Sequence, residues 1–229
     1  MTTELVYGRR AVREALRGRR EVLELFVSDR AAREEWSRRV RIVPERELSE
    51  LAGTRDHQGV VARVEPYRYA DAYELAAAER PLLACLDQVT DPRNLGALCR
   101  SAEGAGATGV ILPAHGSARV TPAVCRASAG AVEHLPVAVV PNLARLLNEA
   151  KSSQLWVYAA DPGGTPMWEA DLTGGVALVL GAEGKGIRPL VRRACDAAVS
   201  IPLAGQVESL NVSVAAALLL YEARRQRDA

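Results

Sequence analysis

The chain has 229 residues, long for one average domain and enough for a small domain followed by a medium one. Hydrophobic residues make up 48% and charged residues 25%, an ordinary globular balance, and no apolar run is long enough to span a bilayer. The net charge of +1 gives no electrostatic pointer to nucleic acid, and Met1-Thr2-Thr3-Glu4 lacks the basic stretch before an apolar one that a signal peptide needs.

Residues 1–66 read as a compact α/β unit. Gly8 to Leu16 has a helical rhythm, Val22 to Val27 reads as a strand, and Ala31 to Arg39 as a second helix. Arg41 to Val43 predicts a short strand, Glu45 to Leu51 a short helix, and Gly59 to Val64 a strand. Residues 67–81, entered through the turn-prone Pro66-Tyr67-Arg68-Tyr69, predict a linker whose tyrosines pack against a domain.

From residue 82 to 229, strands and helices alternate as in a parallel sheet covered on both faces, so the fold class is α/β. Strands are expected at Leu82–Leu86, Gly109–Leu112, Leu135–Val140, Leu155–Ala159, Val176–Leu180 and Ala198–Ile201, all nearly continuous apolar runs. Helices are expected at Leu95–Glu103, Thr121–Ser128, Asn142–Ala150, Pro189–Arg193 and Val212–Arg227. Cys85, Cys99, Cys125 and Cys195 are scattered without a Cys-x-x-Cys pair, which predicts buried thiols in a reducing cytosol and no metal site.

Ligands of open parallel sheets bind beyond the C-terminal strand ends, and three loops there have unusual composition. Asp87 to Gly96 leads into a helix that Asn94 is placed to cap, with Arg100 near its start and Glu103 on the same face. Leu180-Gly181-Ala182-Glu183-Gly184-Lys185-Gly186 follows the strongest apolar strand, and its glycines permit close backbone approach by a ligand. It has neither the phosphate-loop nor the dinucleotide spacing. Ile201 to Ala216 ends a strand, passes a polar loop and starts a helix that Ser209 or Asn211 caps. Taken singly, each loop reads as an ordinary turn or capped helix. His57, beside Gln58 and Gly59, reads as shaping a turn.

Together, Asn94-x-Gly96-x-x-x-Arg100, Gly181-x-Glu183-Gly184-x-Gly186 and Ile201-Pro202-Leu203 through Glu208-Ser209-Leu210-Asn211-Val212-Ser213 resemble the three motifs of SpoU (TrmH-like) RNA 2′-O-ribose methyltransferases. Val6-Tyr7-Gly8-Arg9 and Asp56-His57-Gln58-Gly59 resemble that family's substrate-binding domain, similar to an L30e-like RNA-binding fold. The resemblance implies a trefoil-knotted SPOUT-type catalytic domain over 82–229, a smaller L30e-like domain over 1–66, and a cytoplasmic homodimer without membrane association. It implies S-adenosylmethionine as cofactor, S-adenosylhomocysteine as product, and in-line attack of a ribose 2′-hydroxyl on the sulfonium methyl, with no metal.

By the same resemblance, the backbone around Gly181, Ile201 and Leu210 holds the cofactor, with Gly184, Gly186 and Ser209 in the same loops; Leu180 and Leu203 are expected as apolar walls. Arg100 activates the 2′-hydroxyl, Asn94 fixes Arg100 or the ribose, Glu183 orients the first motif, and Ser209 and Asn211 contact the target nucleotide or shape the loop. Arginine rarely deprotonates, so electrostatic stabilisation of the developing alkoxide is the preferred role for Arg100. The expected substrate is a guanosine in large-subunit ribosomal RNA. The alternatives are a transfer-RNA or antibiotic-resistance methyltransferase, and a catalytically silent RNA-binding assembly factor.

Overall fold

The computed structural model describes residues 2–151, 155–182 and 184–229. It divides into two compact units, Met1–Arg68 with Arg119–His134, and Tyr69–Ala118 with Leu135–Ala229.

The first unit opens with β1 (Glu4–Tyr7), a strand absent from the sequence reading, followed by α1 (Arg9–Arg17) and β2 (Val22–Val27). β3 (Arg41–Ile42), α2 (Glu45–Ala52) and β4 (Val60–Val64) complete it, and the sheet runs β1-β4-β2-β3. β4 is antiparallel to both its neighbours, and its Val60, Val61, Ala62 and Val64 are fully buried. α1 buries Ala11, Val12 and Ala15, one helical stripe.

The helix expected over Ala31–Arg39 is only a 3₁₀ turn, Ala31–Arg33. That stretch has too few apolar residues at helical spacing to bury a face, and only Ala31 is buried. Side chains hold it instead. The Trp36 indole donates to the Ala31 carbonyl at 2.9 Å, and Glu34 takes ion pairs from Arg9 and Arg13.

The second unit begins with α3 (Ala72–Ala76), a helix inside the expected linker, capped by Asp71 through Tyr73 and Glu74 N–H groups. β5 (Leu82–Asp87), α4 (Pro92–Gly104) and β6 (Gly109–Pro113) follow. Residues 119–134 then belong to the first unit and carry α5 (Pro122–Ala127). The chain resumes with β7 (Val137–Val140), α6 (Leu143–Ala150), β8 (Leu155–Pro166), β9 (Gly175–Gly181), α7 (Pro189–Arg193), β10 (Ala197–Ser200) and α8 (Val212–Asp228).

The six strands form one sheet ordered β10-β8-β9-β5-β6-β7, with every pair parallel. Every residue of β5 is buried, as a strand covered on both faces requires. Leu83, Ile111, Leu146, Leu147, Val157 and Val179 lie in the core of one face. β8 runs well past the expected Ala159. Ala159 pairs with Ala198 but Thr165 pairs with Val199, so residues 160–164 leave the ladder at its C-terminal end.

The 119–134 segment is fastened to the first unit by a buried charge cluster. Arg20 Nε donates to Glu133 at 2.9 Å, a second short bond joins the same pair, and Nη1 reaches Glu4 at 3.0 Å. Arg20 also approaches Cys125 Sγ at 3.5 Å and lies over the Tyr67 ring, while the Tyr67 hydroxyl donates to the Val132 carbonyl. Burial pushes the Cys125 thiol up to about 12, against the opposing pull of Arg20. A thiol harder to ionise in the folded state contributes stability that is complete below its ordinary value of 9.0 and lost as pH rises through the folded value. Urea unfolding across that alkaline window is expected to show stability falling by up to about 1.4 kcal/mol per pH unit from this group. Cys125→Ala is expected to flatten the slope by that amount, and an unchanged slope would contradict the assignment.

Candidate active site

The C-terminal ends of β8, β9 and β10 surround a cavity of about 660 Å³. Leu180, Gly181, Gly184 and Gly186 line it from the glycine loop, and Ile201, Leu203, Ser209 and Leu210 from the segment before α8. All eight residues expected to bind a cofactor therefore share one wall system. Val212, Ala215 and Leu219 of α8 close its base. Small side chains and glycine backbone leave the room, and Leu180 with Ile201, Leu203 and Leu210 gives it apolar walls.

The glycine loop is folded hard onto the end of β9. Gly186 N–H donates to the Ala182 carbonyl at 2.8 Å, and the same two residues form an antiparallel bridge. Gly184 and Gly186 have φ of 74° and 66°, the left-handed region that glycine enters without a side-chain clash. Gly181 is needed for a different reason. A Cβ there would stand 2.1 Å from the Gly186 carbonyl carbon. Glu183, the expected orienting carboxylate, lies outside the described residues.

The first and third motifs meet through their amides. Asn211 caps α8: its Oδ1 accepts from Ser213 N–H at 2.9 Å and from Ser213 Oγ at 2.6 Å. That commits its Nδ2 to donate to Asn94 Oδ1 at 2.9 Å. Of the two expected caps of α8, Asn211 holds the position, while Ser209 sits exposed on the cavity wall.

Asn94 does not cap α4, contrary to expectation. Pro92 occupies the first helical turn, where its missing N–H costs nothing, so the cap falls on Asp91, whose carboxylate accepts from Arg93 N–H at 2.7 Å. Asn94 is thereby freed to reach Asn211. The longer helix also places Arg100 in its second half rather than near its start. Six residues separate it from Asn94, which turns it about 120° away around the helix. Arg100 is exposed, is not among the cavity residues, and its side chain makes no hydrogen bond or ion pair with another described residue, Glu103 included.

A half-buried ion pair holds the loop ends beside this site. Asp87, fully buried at the tip of β5, accepts from Arg188 N–H and Nε, both at 2.8 Å, and pairs with Nη2 at 2.6 Å. Gln206, Val207 and Glu208, from the loop singled out before α8, also line the cavity without having been expected to bind cofactor; Ala160, Asp161 and Pro162 line it too, and sequence reasoning missed that segment. The signal was present for that segment. Asp161-Pro162-Gly163-Gly164 is a strong turn cluster directly after an apolar strand, at the edge where ligands bind.

His57 is buried and shapes a turn as expected: Gly59 N–H donates to Nδ1 at 3.0 Å, and Nε2 meets Ser49 Oγ at 2.9 Å. Tyr73, expected to pack against a domain, is exposed and is held through its hydroxyl, which donates to Glu149 at 2.6 Å. Cys85, Cys99 and Cys125 are buried free thiols and Cys195 is partly covered. Among the described residues no cluster of metal-ligating side chains forms, and no described helix is long and apolar enough to cross a membrane.

Residues 81–221 match the SpoU rRNA Methylase family, and residues 5–70 match the RNA 2′-O ribose methyltransferase substrate-binding family. A TrmH family tRNA/rRNA methyltransferase of Bacillus subtilis, YacO, is 38% identical over 98% of this chain and 96% of its own length. The 23S rRNA (guanosine-2′-O-)-methyltransferase RlmB of a Burkholderia species is 50% identical over 79% of this chain and 74% of its own. The crystal structure of the SpoU methyltransferase AviRb from Streptomyces viridochromogenes in complex with AdoMet superposes with a TM-score of 0.81 at 29% identity. It covers 99% of this chain and 91% of that one. A solved RNA 2′-O ribose methyltransferase gives a TM-score of 0.84 at 31% identity, covering 99% and 90%.

Proposed function

The chain belongs to the SpoU rRNA Methylase family, and from that premise we propose that it transfers a methyl group from S-adenosylmethionine to the ribose 2′-hydroxyl of a guanosine in large-subunit ribosomal RNA. The observation that carries this is the convergence of the glycine loop, the Ile201–Leu210 segment and the α8 cap on one cavity, with Asn94 bonded to Asn211 at its margin. The choice of ribosomal RNA and guanosine rests on the likeness to the Burkholderia enzyme, whose name specifies both.

The cavity fits the cofactor. Leu180, Ile201, Leu203 and Leu210 offer apolar walls for the adenine; Asp161, Gln206, Glu208 and Ser209 offer polar partners for the ribose and amino-acid ends. When bound, S-adenosylmethionine supplies an electrophilic methyl group on a sulfonium. The chain's own residues do the positioning, from which much of the acceleration of a methyl transfer comes. Asn211, fixed by its capping bonds, holds Asn94 in one orientation, and the pair presents a fixed polar edge to the acceptor nucleotide. Ser209 contacts the nucleotide from the cavity wall. Arg100, exposed and unengaged among the described residues, pairs with RNA phosphate and stabilises negative charge as it grows on the 2′-oxygen.

The trefoil knot, the homodimer and the cytoplasmic location belong to the same reading. Val214, Leu218 and Tyr221 form an exposed stripe along α8, four and three residues apart, which supports a second copy as the partner that covers it.

Transfer of labelled methyl to purified RNA pools tests the substrate. Label in unmodified large-subunit ribosomal RNA and not in transfer RNA is the expected result. Label confined to transfer RNA would overturn the choice of target, and no label in any RNA together with no cofactor binding would favour the silent assembly factor.

A further inference from the structure

In the first unit, three chain segments far apart in sequence converge at Gly8. The Tyr7–Arg9 segment enters α1, the Asp56–Gln58 segment precedes β4, and Arg126 comes from α5. Gly8 has φ of 92° and Gln58 φ of 54°, so two left-handed residues face one spot. Gln58 Oε1 accepts from Arg9 N–H at 3.2 Å, and the Gln58 carbonyl accepts from Arg9 Nε at 3.2 Å.

Arg126 lies in the notch that Gly8 leaves. A Cβ on Gly8 would stand 2.5 Å from Arg126 Cδ and 2.8 Å from Nε, so the guanidinium sits where any other residue would push it out. Its Nε reaches the Asp56 carbonyl at 3.5 Å, a long bond. Among the described residues its two Nη groups have no hydrogen bond or ion pair, and it meets Asp56 through the carbonyl and not through that residue's exposed carboxylate. Tyr7 is close enough to feel both charges: burial and Asp56 push its hydroxyl up, and Arg126 opposes them.

We propose that Arg126, seated in the Gly8 notch beside Tyr7 and Arg9, is a phosphate contact through which the first unit grips the RNA backbone. The inference rests on the RNA-methyltransferase reading above and adds a residue to it. A guanidinium with two directed, unengaged N–H groups matches the paired oxygens of a phosphodiester. The residue belongs by sequence to the stretch matched by the methylase family, yet by packing to the unit matched by the substrate-binding family. The grip on RNA is thus assembled from both family segments. Arg126 itself comes from α5, and the missing side chain of Gly8 leaves the space in which it lies.

Binding of unmodified large-subunit ribosomal RNA across a salt series, with wild type, Arg126→Gln and Arg126→Lys, tests it. Arg126→Gln is expected to weaken RNA affinity roughly tenfold and to lower the slope of log affinity against log salt by about one. S-adenosylmethionine affinity is expected to stay at the wild-type value. Arg126→Lys, which keeps the charge and loses the fork, is expected to restore the slope but only part of the affinity. Unchanged affinity and slope in Arg126→Gln would overturn the inference. So would weaker binding with an unchanged slope, the signature of a purely structural arginine. Wild-type protein that neither binds nor methylates RNA would overturn the enzymatic reading itself, a result distinct from a failure of the variant alone.

Discussion

Replacing Gly181 by alanine is expected to abolish S-adenosylmethionine binding. The added methyl would meet the Gly186 carbonyl carbon, its oxygen and the Ile187 nitrogen at 2.1, 2.3 and 2.4 Å, all backbone atoms. No rotamer change relieves such a clash. The loop must leave β9, which breaks the Gly186-to-Ala182 hydrogen bond and carries Gly184 and Gly186 off the cavity wall. Gly184→Ala is the graded comparison. Its Cβ would meet nothing, so it is charged only the left-handed φ of 74°, about 1–2 kcal/mol. Calorimetric titration should find Gly184→Ala weakened by at most about 30-fold and Gly181→Ala without measurable binding while still folded. Gly181→Ala binding as well as Gly184→Ala would show that the loop does not hold the cofactor.

Arg100→Ala is expected to lower turnover by about 10²–10³-fold, the size seen when one preorganised donor to a developing oxyanion is removed. Arg100 is exposed and bonded to no other described residue, so the fold should not notice its loss. Cofactor affinity should stay unchanged, because Arg100 does not line the cavity. Arg100→Lys should recover part of the rate, since a point charge keeps the Coulomb attraction but not the bidentate geometry. Single-turnover methylation at saturating RNA separates this from weaker RNA binding. Near-normal turnover in Arg100→Ala would remove it from the reaction.

The second unit was legible because its strands are buried on both faces. Apolar runs such as Leu82–Leu86 and Val176–Leu180, alternating with helical stretches, suit a covered parallel sheet, and both lie there. Local detail was less legible where two residues compete for one role. Asp91 and Asn94 can both cap a helix, and Pro92 decided between them by fixing where the first turn starts. β1 escaped notice because it is short and its pairing partner, β4, lies more than fifty residues away. The helix expected over Ala31–Arg39 failed for the opposite reason: local propensity favours it, but nothing there is buried except Ala31.

The 119–134 excursion was the least legible feature. Its helix was read correctly, but its unit depends on Arg20 meeting Glu133 across 113 residues, and periodicity carries no such information. In the cavity, the loops rich in glycine or matching a motif were found, and the Asp161–Pro162 rim was not, because β8 continues past its apolar run. Asn94 and Asn211 were singled out separately; that they bond to each other needed the fold.

The most direct test of the central claim is the chemistry of the methylated product. Ribosomal RNA labelled by the enzyme from S-adenosylmethionine is digested, half with alkali and half to nucleosides. A ribose 2′-O-methyl group blocks alkaline cleavage at its own phosphodiester, so the account predicts label in an alkali-resistant dinucleotide and, after full digestion, in 2′-O-methylguanosine. Label released by alkali in a mononucleotide carrying a methylated base would contradict it.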